Sequence, residues 1–315
     1  MTTRSLRRVL VTGGAGFIGS NIARLVAMDT GADVVVLDDL SSGYRDNLDG
    51  LRVTFLEGDV RDPAMVRRAI DGCDTVFHLA ASVGNTRSID DPVRDSEVNV
   101  LGTLRVLEAA RDAGTGKVVY SSSAGIFGEL RTLPIREDHP IDPDTPYGAS
   151  KLGGEKLCLA YAKLYPMESV CLRYFNVYGV NQRYDAYGNV IPIFAHRVLR
   201  GEPITIFGDG EQTRDFVYVA DVVEANMLAM FQTYAGPSPL NVGGGGRTSL
   251  NALAALVGEI LGVTPTITRA RPRPGDIRHS GADIGAIRAA LGYVPRWTLR
   301  AGLEALVGAQ RRSRG

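Results

Sequence analysis

Arg8-Val-Leu-Val-Thr-Gly-Gly-Ala-Gly-Phe-Ile-Gly19 decides the fold. Val9-Leu-Val11 shows no polar alternation, so the run reads as a strand buried on both faces, the mark of a parallel sheet. The strand runs straight into glycines and then into a helical pattern. Gly14, Gly16 and Gly19 spell GxGxxG. In that context glycines permit a tight turn, a close approach to a pyrophosphate and close helix–strand packing. The helix N-terminus then turns its positive dipole end toward the phosphates. Asp38 closes the next strand. A carboxylate there accepts hydrogen bonds from ribose hydroxyls and repels the extra phosphate of NADP, so the pattern predicts NAD. Asp59, in Glu57-Gly-Asp-Val60, follows the third strand where an adenine would lie.

Outward from this turn the chain alternates short β-branched runs with longer helical stretches. Residues 8–12, 33–37, 53–56, 75–78, 117–121 and 169–174 read as strands; 17–28, 63–70, 98–113 and 147–165 read as helices. This alternation predicts an α/β fold: a doubly wound parallel (Rossmann) sheet with a smaller mixed α/β substrate cap at the C-terminal end. The expected division is a dinucleotide-binding domain over 1–175, with 215–241 returning to it, and a mainly substrate-binding cap over 176–315. Residues 176–189 read as a loop, 220–231, 249–261 and 283–291 as helices, and Val242-Gly-Gly-Gly-Gly246 as a hinge.

Composition narrows the class of partner. The 315 residues carry a formal net charge of zero, with 44% apolar and 22% charged residues. Bulk charge gives no support to nucleic-acid or membrane binding and favours a small ligand in a pocket. The three cysteines, Cys73, Cys158 and Cys171, form no disulfide or zinc spacing, so the expectation is a reducing cytoplasm and no metal. No stretch approaches the roughly 18 continuous apolar residues of a membrane span.

Two further segments carry chemistry. Tyr147-Gly-Ala-Ser-Lys151 puts a tyrosine and a lysine on one helix face. An ammonium near a phenol favours the phenolate, which can then take a proton from an alcohol at neutral pH. Tyr120-Ser-Ser-Ser-Ala-Gly-Ile-Phe-Gly128 brings three hydroxyls to a strand end and follows them with small residues.

Together, TGGAGFIG, HLAA at 78–81, SSSAGIFG, YGASK, LRYFNVYG at 172–179 and RDFVYVADV at 214–222 resemble the extended short-chain dehydrogenase/reductases. The nearest likeness is to NAD-dependent UDP-sugar 4-epimerases of the UDP-galactose 4-epimerase type. The resemblance implies Ser123 as catalytic hydroxyl, Tyr147 as base and Lys151 as its partner, acting through a transient 4-keto sugar. Around NAD it implies Gly13, Gly16, Phe17, Ile18, Gly19, Asp38, Asp59, Val60, Leu79, Ala80, Ala81, Asn99, Ser121, Tyr147, Lys151 and Tyr174. For the UDP-sugar it implies Asn176, Asn189, Val190, Phe207, Arg214, Arg273, Asp276 and Ser280 beside Ser123 and Tyr147. Related dehydratases carry an Asp-Glu pair after the serine strand, and related decarboxylases a glutamate. Ala124-Gly125 stands here, which leaves oxidation and re-reduction at one carbon.

The resemblance also addresses the sugar. Ser280 falls where a bulky tyrosine is associated with glucose/galactose-only enzymes, so it implies room for an N-acetyl group. Arg87 and Arg183 offer a competing reading, a UDP-glucuronate 4-epimerase whose arginines pair with the carboxylate. Phe127 stands where relatives commonly have tyrosine. The rival classes are a non-catalytic NAD-binding regulator and a simple dehydrogenase that releases its reduced cofactor. The helices near 91–113 and 147–165 resemble the family's dimer-forming pair and imply a homodimer.

Overall fold

The computed structural model describes residues 6–185, 189–234, 238–272 and 277–312. Six strands form in the first half: β1 (Arg8–Thr12), β2 (Asp33–Asp38), β3 (Val53–Glu57), β4 (Thr75–His78), β5 (Lys117–Ser123) and β6 (Glu168–Tyr174). The second half adds β7 (Asn176–Tyr178), β8 (Ile204–Phe207), β9 (Thr213–Arg214), β10 (Phe216–Tyr218), β11 (Leu240–Val242), β12 (Thr248–Ser249) and β13 (Ile267–Ala270). The helices are α1 (Phe17–Asp29), α2 (Pro63–Ile70), α3 (Asn85–Asp90), α4 (Pro92–Ser96), α5 (Thr103–Asp112), α6 (Pro146–Leu164), α7 (Val190–Leu199), α8 (Val219–Phe231), α9 (Leu250–Leu261), α10 (Gly285–Leu291) and α11 (Leu299–Arg312).

The main sheet has seven strands in the order β11-β6-β5-β4-β1-β2-β3, every neighbouring pair parallel. The order reverses beside β1, and in such sheets ligands bind outside the carboxyl ends of the strands near that point. Both faces are covered, as the uninterrupted apolar strands require. Val9, Val11, Val34 and Val36 join the core that includes Ile22, Ala23 and Val26 of α1 and Val222 and Ala225 of α8. The alternate residues Leu10 and Val35 join Val66 and Ile70 of α2, Val106 and Leu107 of α5, and Leu159 of α6. The period-two alternation of strand side chains separates the two cores.

After β6 the chain leaves the sheet, pairs β7 with β10 and returns through α8 and β11; β12 and β13 then follow and pair with β9 and β8. The return is tied down by Lys117, which is 1% exposed. Its Nζ donates to the carbonyls of Ala229 (3.0 Å), Met230 (3.3 Å) and Gln232 (2.6 Å) at the end of α8, and pairs with Glu168 at 2.8 Å. An ammonium there meets the negative end of the helix.

Two local readings change. The helix expected over 98–113 is interrupted: α4 passes into a π-helical turn, Glu97–Gly102, before α5 begins. Such turns re-aim side chains and mark functional sites. The run 242–246 is not a hinge. Gly244 and Gly245 donate their N–H groups to the buried Asp215 carboxylate at 2.7 and 3.1 Å.

Candidate active site

A cavity of about 690 Å³ lies along the carboxyl ends of the main strands. At one end Gly13 turns the chain with φ +67°, and a Cβ there would lie 2.7 Å from the Ala80 nitrogen. Gly19 lets α1 approach: its Cβ would stand 2.1 Å from the Gly13 carbonyl oxygen. No side chain caps α1, and no acidic residue sits in its first turn. Its leading N–H groups are therefore available to an anion. Asp38 reaches the lip of this cradle, its carboxylate held by N–H groups of Ala15 and Leu40, both at 2.9 Å. Burial raises its pKa against those hydrogen bonds. Asp59 lies further along the lining. Burial pushes its carboxyl up, but hydrogen bonds from Arg61 outweigh this and hold it below the usual range. The cradle, the uncapped helix and the acidic β2 terminus fit an adenine dinucleotide. Asp38 fits one whose ribose bears free hydroxyls.

The reactive end lies where β5 stops. Thr145 caps α6 by accepting from the Gly148 N–H at 3.2 Å, with Pro146 opening the helix, so Tyr147 falls in the first turn. Ser123, Gly125, Tyr147 and Lys151 all line the cavity. Ser123 stands close enough to Tyr147 to pull its pKa down, and its Oγ accepts from the Gly125 N–H at 3.1 Å. Lys151 is 2% exposed, its ammonium 4.4 Å from the centre of the Tyr120 ring. Burial lowers its pKa to about 8. Burial also raises Tyr147, against the lowering effect of Ser123 and with a smaller upward push from Asp95. The lowering of Tyr147 expected from Lys151 is not among the effects on this phenol; its net shift is upward, with burial the largest cause.

The support behind these groups was not read from sequence. Glu155 is 0% exposed and takes two hydrogen bonds from Arg173, at 2.9 and 2.8 Å, and one from Ser122 at 2.7 Å. The pair bolts α6 to β6 beside Ser123. Arg173 lies 5.1 Å from the centre of the Phe127 ring. Phe127 is fully buried there against His139, which makes it a packing residue.

Of the residues expected around NAD, Gly13, Gly16, Phe17, Ile18, Gly19, Asp38, Asp59, Val60, Leu79, Ala80, Ala81, Ser121, Tyr147, Lys151 and Tyr174 line this one cavity. Asn99 stands behind its wall, 1% exposed, with its amide engaged by Ser82, Asp95 and Ser150. On the substrate side Asn176 and Asn189 join the lining, as do Arg87 and Arg183. Val190, Phe207, Arg214 and Ser280 are not part of it. Ser280 is 7% exposed, and its N–H donates to the Thr213 carbonyl at 3.0 Å. Arg273 and Asp276 lie outside the described residues. Asn85, Arg94, Asn181 and Gln182 also line the cavity. They sit on a connection and on two short helices whose sequences carry no periodic signal.

A parallel sheet ending in a glycine cradle, with an acidic β2 terminus and an α6 tyrosine and lysine in the same cavity, defines a dinucleotide-binding enzyme of the short-chain dehydrogenase/reductase class. The chain belongs to the NAD dependent epimerase/dehydratase family, whose pattern matches residues 9–243. A UDP-glucose 4-epimerase of Mycolicibacterium smegmatis is 39% identical over 306 residues, covering 95% of this chain and 97% of that one. The UDP-glucose 4-epimerase of Thermotoga maritima, solved with UDP-glucose, superposes with a TM-score of 0.93 at 38% identity, over 98% of this chain and 100% of that one. MoeE5, solved with UDP-glucuronic acid and NAD, superposes with a TM-score of 0.89 at 36% identity, over 97% and 99% of the two chains. The cofactor is NAD, and these relatives include isomerases. No described helix is long and apolar enough to cross a membrane.

Proposed function

We propose that this chain is a UDP-hexose 4-epimerase that works through a transient 4-keto sugar, with Tyr147 as the base. The observation that carries the reading is that Ser123, Tyr147 and Lys151 line the same cavity as the dinucleotide cradle. The kinship with two UDP-glucose 4-epimerases supports it. Tyr147 removes the proton of the sugar 4-hydroxyl, and Ser123 hydrogen-bonds the same oxygen. Lys151 supplies the positive charge that stabilises the phenolate once it forms. The Gly13–Gly19 turn and Asp38 would hold NAD beside these groups, and NAD would supply the hydride acceptor and donor for carbon 4. Gly125 leaves the space beside the reacting carbon in which the sugar turns. Ala124-Gly125 provides no carboxylate for elimination.

The same proposal assigns 1–175 with 215–241 to cofactor binding and 176–315 mainly to the substrate. Asn176 and Asn189 contact the sugar nucleotide from the cavity wall, and Arg214, Arg273 and Asp276 grip its UDP part from the cap. The assembly is a homodimer in the cytoplasm. Glucose and galactose are the proposed hexoses on the kinship with the UDP-glucose 4-epimerases, with the N-acetyl sugars implied by Ser280 as further substrates. The second reading is a uronate. Arg87 and Arg183 both line the cavity, and a guanidinium fork suits a carboxylate. Proton NMR of the purified protein with UDP-glucose, UDP-N-acetylglucosamine and UDP-glucuronate, with no cofactor added, separates these. Conversion of UDP-glucose to its 4-epimer is expected; conversion of UDP-glucuronate alone transfers the assignment to the arginines. Tyr147→Phe should lower turnover by about 10²–10⁴-fold while UDP-sugar still binds, and retained turnover refutes Tyr147 as base.

A further inference from the structure

Asp95, on α4, is 0% exposed. Burying a carboxylate is unfavourable unless it is paired and hydrogen-bonded. Ser150 Oγ donates to Asp95 Oδ2 at 2.5 Å, and Asn99 Nδ2 lies 3.2 Å from Asp95 Oδ1. Asn99 Nδ2 also lies 2.9 Å from Ser150 Oγ, so the three side chains close a ring in which its two amide hydrogens are shared with a third acceptor, the Ser82 carbonyl. Asn99 extends the ring outward: its amide donates to the Ser82 carbonyl at 3.0 Å and accepts from the Ser82 N–H at 2.9 Å. One buried network therefore ties α4, the π-helical turn, the loop after β4 and the first turns of α6. Ser150 immediately precedes Lys151 and sits one turn from Tyr147, and Ser82 continues the Leu79–Ala81 wall of the cavity.

The charges around this point give the carboxylate a second task. The groups facing Lys151 and Tyr147 are His78 from β4, Tyr120 from β5, Glu155 and Cys158 from α6, Cys171 and Arg173 from β6, and Asp95. Glu155 is matched by Arg173 at 2.8 Å. Asp95 is the other carboxylate whose charge reaches Lys151, from beside the Ser150 that precedes this lysine. Its charge raises both Lys151 and Tyr147, though burial is the larger effect on each.

We infer that Asp95 is a positioning residue of the reaction: through Ser150 and Asn99 it holds Tyr147 and Lys151 in register with the cofactor wall, and it supplies the counter-charge for Lys151. The roles of Tyr147 and Lys151 in this inference rest on the 4-epimerase reading. Asp95→Asn keeps the shape and removes the charge, whereas Asp95→Ala removes both.

The test is run on the full chain with its NAD, with two readouts. The first is kcat and KM against pH for the UDP-sugar that the wild type converts. The second is the tyrosinate absorbance difference between each protein and its Tyr147→Phe version, which follows ionisation of that phenol without substrate. Asp95→Asn should move both the activity profile and the tyrosinate titration to lower pH, with KM little changed. Asp95→Ala should lose about 10–100-fold in kcat, most of it restored by Asn, as expected when a reacting group is displaced by about 1 Å. An unchanged pH profile and titration in Asp95→Asn, with only a lowered melting temperature, would reduce Asp95 to a packing residue and overturn the inference. A wild type that converts no UDP-sugar refutes the 4-epimerase reading instead. The titration then still decides: a shift supports Asp95 as the charge partner, and its absence overturns that role.

Discussion

Gly125 is the position at which the geometry of the reactive end can be tested most directly. Its φ is not in the left-handed region, so a side chain meets no backbone strain there. What it meets is the reactive pair. A Cβ would stand 3.3 Å from Ser123 Oγ and 3.6 and 3.7 Å from two ring carbons of Tyr147. Alanine therefore asks only Ser123 to give by a few tenths of an ångström, and a few-fold loss of kcat is expected. Valine adds two methyl groups about 1.5 Å beyond that Cβ, the length of one carbon–carbon bond. Tyr147 must then move, or the sugar must turn in a smaller space. A displacement of about 1 Å at a reacting group lowers rate by about 10²-fold, which corresponds to about 2.7 kcal/mol of barrier. The loss should appear in kcat, because the cradle that holds NAD lies at the other end of the cavity. The assay is 4-epimer formation by NMR for the wild type, Gly125→Ala and Gly125→Val at several substrate concentrations, with bound NAD quantified in each. Wild-type kcat in Gly125→Val, or a rise in KM with kcat intact, would refute the placement of Gly125 against the reacting groups.

Asp38→Asn should raise affinity for NADP relative to NAD by roughly tenfold or more, since a charge that repels the extra phosphate is removed; titration of both cofactors against the apoprotein checks this. Glu155→Leu strands the Arg173 guanidinium, which is 2% exposed at its side chain, and should lower apparent stability in urea by about 3–5 kcal/mol, with part recovered in Glu155→Leu/Arg173→Met. His78 is fully buried between Thr12 at 2.7 Å and Thr103 at 2.9 Å, and burial, assisted by Lys151, lowers its pKa from 6.5 to about 3. The unfolded chain therefore binds more protons than the folded one across that window, so stability present above pH 6.5 is lost as pH falls toward 3. The loss amounts to about 5 kcal/mol at most and should flatten in His78→Gln when melting is followed against pH.

The main sheet was legible because a strand buried on both faces must be apolar at every position. Val9-Leu-Val11 and Val34-Val-Val36 satisfy that demand without alternation. The cofactor end was legible because glycine and an acidic strand end are chemical necessities there, not packing preferences. The interruption at Glu97–Gly102 was not legible: its composition is helical, and what holds Asn99 is the buried Asp95 one turn before it together with Ser150, brought from 51 positions away on α6. The Glu155–Arg173 pair was invisible for the same reason, since its partners lie 18 positions apart on different elements. Asn176 and Asn189 reach the cavity, whereas Phe207, Arg214 and Ser280, taken by family resemblance alone, stand outside its lining.

The glycine run after β11 shows why composition misled there. Four glycines in succession suggest freedom, yet the demand on them is proximity. A Cβ on Gly243 would lie 2.6 Å from the Ala282 Cβ, and one on Gly244 would lie 2.6 Å from the Phe216 carbonyl oxygen. Both glycines are crowded because Asp215, 0% exposed, stands at the junction. Its carboxylate accepts from the N–H groups of Gly244, Gly245 and Ala282, and its own carbonyl accepts from the backbone and side chain of Asn176. One aspartate thus joins the strand leaving the sheet, the strand returning to it and the segment that carries Ser280. Asn176 lines the cavity from that same junction. That wall of the cavity is therefore held by the aspartate that follows Arg214, and the glycines are needed so that the backbone can come close enough to be held.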